Sequence, residues 1–208
     1  MKLKKNILVS PLNWGIGHAT RCIPIIKKLQ EHNFNVIIAS SGRSLDLLIQ
    51  EFPNLDFIKM NDYNVKYYSS LPMTISMLIQ IPKILFNIQK ENNQLKAIIN
   101  DFKIDGIISD NRYGMYSNDI PSVFITHQIE IQTPIFKNFI KKINNKLISR
   151  FSECWIPDFE INGIAGKLSR LTNTKKNHKY IGPLSRFVNK KSEIKYDVLA
   201  IISGPEPQ

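Results

Sequence analysis

Cysteine is scarce in this chain. Cys22 and Cys154 stand too far apart, and are too few, for a disulfide framework or a cysteine-based metal cluster. Two reduced thiols fit a cytosolic protein, and cytoplasmic is the expected location. Long apolar runs are missing as well. Lys2, Lys4 and Lys5 lead into only a very short apolar stretch before Pro11, so no secretory leader is read there. The most apolar segment, 73–88, is interrupted by Gln80, Pro82 and Lys83, which argues against a transmembrane span. Acidic side chains are in deficit: 17 Asp and Glu face 28 Lys and Arg, a formal charge of +11.

That excess admits nucleic acid, anionic lipid or an anionic substrate as partner. Zinc-finger spacing, an RNP-like aromatic signature and basic heptads are all lacking, and the lysines are scattered, so nucleic acid is not expected. A membrane surface or an anionic substrate fits better.

Two cofactor motifs are also incomplete. A dinucleotide site needs a third glycine and an acid at the end of the second strand; here Thr20 replaces that glycine and Ser40-Ser41 ends the strand. A phosphate-binding P-loop is excluded because Gly166-Lys167 is followed by Leu168, with no correctly spaced glycine before it.

What is present is a repeated alternation of short apolar runs with longer helical patterns, the mark of βα units and a parallel sheet. Strands are expected at 6–10, 35–39, 56–59, 106–109, 122–126 and 153–156. A helix of about three turns lies between the first two, with Ile25, Ile26 and Leu29 inward, and a second covers 43–51 before Pro53. The β-α-β-α-β opening predicts a Rossmann-like, doubly wound α/β domain. A long helix is expected over 73–102, kinked or divided at Pro82. Its first half is apolar nearly all round, for burial, a partner or a membrane-dipping patch. Another amphipathic helix covers 134–151, with Phe136, Phe139, Ile140, Ile143 and Leu147 on one face and Lys137, Lys141, Lys142, Lys146 and Arg150 largely off it.

The predicted domain spans 1–185, a polar linker follows at 186–195, and 196–208 reads as the first strand and glycine turn of a truncated second domain. The strand would be Tyr196 to Ile202, the turn Ser203-Gly204-Pro205.

The chemistry concentrates after the first strand, in Asn13-Trp14-Gly15-Ile16-Gly17-His18-Ala19-Thr20-Arg21. Glycines let the backbone approach a ligand, and an imidazole at the mouth of a helix suits a proton acceptor better than a phosphate clamp. A carboxylate beside it would orient the ring and stabilise the imidazolium that forms. Asp110, just past the strand 106–109, is the candidate, because carboxyl ends of parallel strands converge on one crevice. Asn111 and Arg112 share that rim; Arg112 would pair with phosphate or neutralise Asp110. His127 and Gln128 end the strand 122–126 and could hydrogen-bond a hydroxylated acceptor, or cap the loop.

At these residues the chain resembles GT-B glycosyltransferases, most closely the family 28, MurG-like group. The opening glycine loop, His127-Gln128, Tyr180-Ile181-Gly182-Pro183 and Ser203-Gly204-Pro205-Glu206-Pro207-Gln208 carry the resemblance. Gln128 stands where the family has Glu, and Ile129-Glu130 replaces the residues that follow. The resemblance implies an amino-terminal acceptor domain facing a carboxy-terminal donor domain, and transfer from a nucleotide-diphosphate sugar to an acceptor hydroxyl with inversion. It implies His18 as base with Asp110 behind it. Acceptor contacts would come from Asn13, Gly15, Gly17, Thr20, Arg112, His127 and Gln128, and donor-phosphate contacts from Ser203 and Gly204. No metal or other cofactor is expected, because helix dipoles and amides would stabilise the departing diphosphate. A lipid-linked acceptor at the inner face of the membrane is within this reading, and 73–88 could contact anionic lipid. A sugar-nucleotide 2-epimerase of the same architecture, or a non-catalytic basic membrane-surface module, are the alternatives. As a transferase, the 208-residue chain is expected to be inactive without a carboxy-terminal half.

Overall fold

The computed structural model describes residues 4–63, 73–131, 136–171, 177–187 and 195–200. Seven parallel strands form one sheet in the order β3-β2-β1-β4-β5-β6-β7: β1 Asn6–Pro11, β2 Asn35–Ser40, β3 Asp56–Lys59, β4 Gly106–Asp110, β5 Ser122–Ile125, β6 Glu153–Ile156 and β7 His178–Tyr180. Four helices connect them: α1 Ile16–Glu31, α2 Gly42–Glu51, α3 Met73–Phe102 and α4 Lys137–Ile148. The doubly wound α/β architecture is therefore as the alternation predicts.

The strand sequences explain the layering. Successive residues of a strand face opposite sides, so a strand covered on both sides must be apolar throughout. Val9, Ile38 and Ile108 point into one core with Ala19, Cys22, Ile23 and Ile26 of α1 and Leu45 and Leu48 of α2. Their neighbours Leu8, Ile37 and Ile107 point into the other, against Leu95 and Ile98 of α3. A third cluster joins Phe124 of β5 to Ile148 of α4 and to Phe151, with the Phe124 and Phe151 rings 4.8 Å apart.

The chain winds outward through β1, β2 and β3, then α3 carries it back to β4 on the other side of β1. The order reverses between β1 and β4, where a doubly wound sheet opens a crevice at its carboxyl edge. The register puts Pro11 opposite Asp110 at that edge. Two buried hydroxyls lace the adjoining strand ends: Ser10 Oγ donates to the Ala39 carbonyl at 2.7 Å and Ser40 Oγ to that of Pro11 at 2.8 Å.

Several expectations are corrected. Strand β7 was hidden because it is three residues long, His-Lys-Tyr, with no apolar run to reveal it. Helix α1 runs for 16 residues rather than three turns, with Pro24 inside it. Pro82 does not divide α3, which continues for 30 residues. On α4 the expected inward face is split: Leu147 is buried and Ile143 packs beside it, but Phe136 and Phe139 are exposed at 63% and 54%. Tyr113 explains the change, since its hydroxyl donates to Asn144 Oδ1 at 2.8 Å and draws that polar residue inward instead. Residues 195–200 form no strand, and Tyr196, Val198 and Leu199 are exposed: an isolated strand has no neighbour to complete its ladder. Ile201, Ile202, Ser203 and Gly204 lie outside the described residues.

A buried ionic cluster ties α3 to the turn after β4. Arg112, fully buried, donates from Nε to Glu91 Oε1 at 2.6 Å and from Nη2 to the Asn61 carbonyl at 2.6 Å. Glu91 Oε2 accepts from the Tyr63 hydroxyl at 2.6 Å and the Gly114 amide at 2.9 Å. Burial, then the neighbouring Glu91 carboxylate, pushes the Tyr63 hydroxyl pKa well up, which keeps it a donor. Glu91→Ala strands a buried cation, a hydroxyl and an amide at once. It should cost about 3–5 kcal/mol, the usual penalty for breaking a buried pair, read as a lowered urea midpoint.

Candidate functional site

Gly15 precedes α1 at φ +91, a conformation that favours glycine and turns the chain sharply out of β1. Leu12 N donates to the Asp110 carbonyl at 2.9 Å, fixing the loop to the end of β4. His18 consequently sits in the first turn of α1, over the switch point. Its Nδ1 lies 2.7 Å from Asp110 Oδ1, and the Asp110 side chain is fully buried. The two residues expected to meet at two strand ends do meet.

A third partner was not anticipated. Arg21, one turn along α1 from His18, donates to Asp110 twice, from Nε to Oδ2 at 3.1 Å and from Nη2 to Oδ1 at 2.9 Å. The i, i+3 spacing on a helix was the sequence signal that could have found it. Burial works against the guanidinium charge, but attraction to Asp110 and the hydrogen bonds between them outweigh it, leaving the Arg21 pKa raised. Asp110 is thus neutralised by Arg21, not by Arg112.

The tautomer of His18 follows from these contacts. Asp110 Oδ1, Arg21 Nη2 at 2.8 Å and Asn111 Nδ2 at 3.4 Å all approach Nδ1. A deprotonated Nδ1 would set its lone pair against a carboxylate oxygen 2.7 Å away. Nδ1 therefore carries the hydrogen and donates to Asp110, while Arg21 spends its donors on the carboxylate. Nε2 is left as the proton-accepting nitrogen. Trp14 and Ile16, half-exposed or more on the same loop, flank the ring in sequence.

The remaining candidates divide. His127 joins the group: Arg21 Nη1 lies 3.4 Å from its Nδ1. Gln128 is exposed beyond β5, its amide N donating to Thr126 Oγ1 at 3.0 Å. Gly17 is exposed, with open space where a side chain would be. Thr20 Oγ1 donates to the Gly17 carbonyl at 3.0 Å. Asn13 is occupied structurally. Its Oδ1 accepts from Ser44 N at 3.2 Å, at the start of α2, and its Nδ2 donates to Asp62 Oδ2 at 2.8 Å. A Cβ on Gly42, at φ +48, would collide with that amide. Arg112 is not on the rim at all: Asn111, at φ +59, reverses the chain and sends Arg112 into the Glu91 cluster. Ser203 and Gly204 are outside the described residues. Among the described residues no cluster of His, Cys, Asp and Glu could hold a metal ion, and no helix is long and apolar enough to cross a membrane. Cys22 and Cys154 are both buried, with no disulfide between them, and burial pushes the Cys22 thiol well up.

Burial first, and then the Arg21 cation, hold the His127 pKa below its ordinary value near 6.5. The unfolded chain therefore takes up a proton that the folded site resists, so stability falls as pH drops below about 6.5. His127→Gln should flatten this acid limb in urea midpoints measured between roughly pH 5 and 7.5.

No protein-family model matches the sequence, and no curated protein matches it. Solved structures do match in fold. The glycosyltransferase of kitacinnamycin aligns with 93% of this chain and 55% of its own length, at 15% identity and TM-score 0.59. UGT2 of Phytolacca americana, complexed with UDP-2-fluoro-glucose and pterostilbene, aligns with 88% and 55%, at 13% identity and TM-score 0.56. MurG of Acinetobacter baumannii aligns with 88% and 46%, at 12% identity and TM-score 0.53. A UDP-N-acetylglucosamine 2-epimerase is among the matches as well. The chain spans about half the length of these structures, and it has the Rossmann-like fold found in GT-B glycosyltransferases.

Proposed function

We propose that this chain is the acceptor half of an inverting glycosyltransferase that uses a nucleotide-diphosphate sugar. The carrying observation is the 2.7 Å contact between His18 Nδ1 and the buried Asp110 at the switch point. The fold shared with glycosyltransferases, one of them complexed with a nucleotide-sugar analogue, supports the same reading.

In this mechanism the acceptor hydroxyl lies at His18 Nε2. Its oxygen attacks the anomeric carbon while the bond from that carbon to the nucleoside diphosphate breaks, and the hydroxyl proton passes to Nε2. Asp110 holds the ring and stabilises the imidazolium. Arg21 holds the Asp110 carboxylate in place through two hydrogen bonds. His127, Gln128, Thr20 and the open face of Gly15 and Gly17 border the acceptor, with Trp14 and Ile16 offering an apolar surface for its body. Asn13 holds the loop through Ser44 and Asp62, and Arg112 lies in the Glu91 cluster rather than beside His18. Donor contacts, including those of Ser203 and Gly204, belong to the half that binds the nucleotide sugar, and backbone amides there replace a metal in stabilising the diphosphate.

In a protein that carries both halves, His18→Ala should lower kcat by about 10²–10⁴ with the fold intact. Asp110→Asn should lower kcat more than it raises KM. Unchanged turnover in His18→Ala would remove the base from this position. The 208-residue chain alone should show no donor-dependent transfer. Conversion of the nucleotide sugar to its 2-epimer without acceptor would instead favour the epimerase reading that one of the structural matches raises.

Peripheral contact with an anionic membrane, at the cytoplasmic face, belongs to the same proposal. Ile79 and Phe86 of α3 are exposed at 62% and 70%, and α3 packs through Ile84 and Ile88 beside Ile143 and Leu147 of α4, whose Phe139 is also exposed. Lys137 and Lys142 of α4 would meet the headgroups, each close charge adding about 1 kcal/mol. Co-sedimentation with phosphatidylserine-containing vesicles should fall in Phe86→Ser/Phe139→Ser and in Lys137→Gln/Lys142→Gln, and be unaffected in His18→Ala.

A further inference from the structure

A cavity opens where the loop after β3 meets the middle of α3. It has a volume of about 210 Å³ and is lined by 61–63 and by Lys83, Asn87, Lys90, Glu91, Gln94 and Arg112. The α3 residues recur at helical spacing and present one polar stripe to it. The cavity is too small for a whole disaccharide but accommodates one compact polar group, since sites for drug-sized ligands start near 300 Å³.

Its charge is unevenly spent. Both carboxylates in the wall are turned to internal partners: Glu91 accepts from Arg112, Tyr63 and the Gly114 amide. Asp62 accepts from Asn13 Nδ2 at 2.8 Å and from Tyr63 N at 3.0 Å. One donor on the cationic side is not used up. Arg112 is fully buried, yet its Nη1 has no hydrogen-bond partner among the described residues, while Nε and Nη2 are both engaged. A buried guanidinium N–H left empty costs free energy that a bound acceptor atom would recover. Lys83 and Lys90, both exposed, add positive charge at the lining.

We propose that this cavity binds a compact oxyanion, a carboxylate or a phosphate carried by a small molecule, with Arg112 as its buried anchor and Lys83 and Lys90 as its outer cations. The chemistry fits: a guanidinium presents donors to planar or tetrahedral oxyanions, and charge-assisted hydrogen bonds are the strong ones in a partly dry site. Asn13 joins the cavity wall at Asp62 to the glycine loop that bears His18. If the bound molecule is the acceptor of the proposed transferase, that step rests on the functional reading above; anion binding itself does not.

The test is isothermal titration of the 208-residue chain with sodium phosphate, and separately with sodium acetate, at constant ionic strength set by chloride. The expected result is a saturable 1:1 isotherm with at least one of the two. Phosphate alone identifies a phosphate-bearing ligand, and acetate a carboxylate-bearing one. Lys83→Ala/Lys90→Ala should weaken binding roughly tenfold or more, and so should Arg112→Lys, which removes the free Nη1 but keeps a charge. Should Arg112→Lys fail to fold, the lysine double variant, on exposed positions, decides alone. His18→Ala should bind unchanged, so loss of turnover there and loss of anion binding here are separate failures. No saturable isotherm with either anion, binding undiminished in the folded variants, or binding abolished in His18→Ala would each overturn the proposal.

Discussion

The carboxylate of Asp110 has no contact with water, and the geometry of the site follows from that constraint. A buried anion is costly unless it is paired and hydrogen-bonded. The sheet places it at the end of β4, opposite Pro11, where no strand hydrogen bond reaches its side chain. The nearest element able to supply donors is the first turn and a half of α1. His18 and Arg21, one helical turn apart, both lean onto it. The imidazole is consequently aligned by the need to satisfy Asp110, and the glycine at φ +91 is what lets the helix start close enough to do so.

Arg21 gives the arrangement a character that a two-residue His–Asp pair lacks. A guanidinium forked onto the carboxylate donates to both of its oxygens and holds it against rotation. Positional order is gained, and Arg21 reaches His127 at the same time. Burial first, and then the Arg21 cation beside it, hold His127 on the low side of its ordinary range.

Much of this was legible in the residues. Strands buried on both faces read as continuous apolar runs, and placing His18 and Asp110 at carboxyl ends of two of them was enough to bring them together. The failures at Arg112 and Asn13 share a cause: side-chain direction after a strand ends. Asn111 at φ +59 sends residues 110 and 112 to opposite sides, and nothing in Asp-Asn-Arg announces that turn. Arg112 instead finds Glu91, 21 residues upstream on another element, a pairing without a local pattern. Asn13 was similarly diverted by Gly42 and Ser44. The short β7 carries too few apolar residues to signal itself. The exposed Phe139 arises because a part-buried Tyr113–Asn144 hydrogen bond sets the rotation of α4.

The turn at 110–112 therefore separates two electrostatic problems that adjoin in sequence. On one side a buried anion recruits two helical donors and is fully answered. On the other a buried cation recruits Glu91 and the Asn61 carbonyl and is answered in part, with one guanidinium nitrogen left over. Native interiors rarely leave such a group unpaired, because the uncompensated desolvation costs about 1–3 kcal/mol. The surplus is tolerable if it lies where a ligand arrives, and the cavity lined by Arg112 is such a place. Asp110, which holds His18, and Arg112, the anchor of the proposed anion site, would then stand two residues apart in one reversed turn at the end of β4.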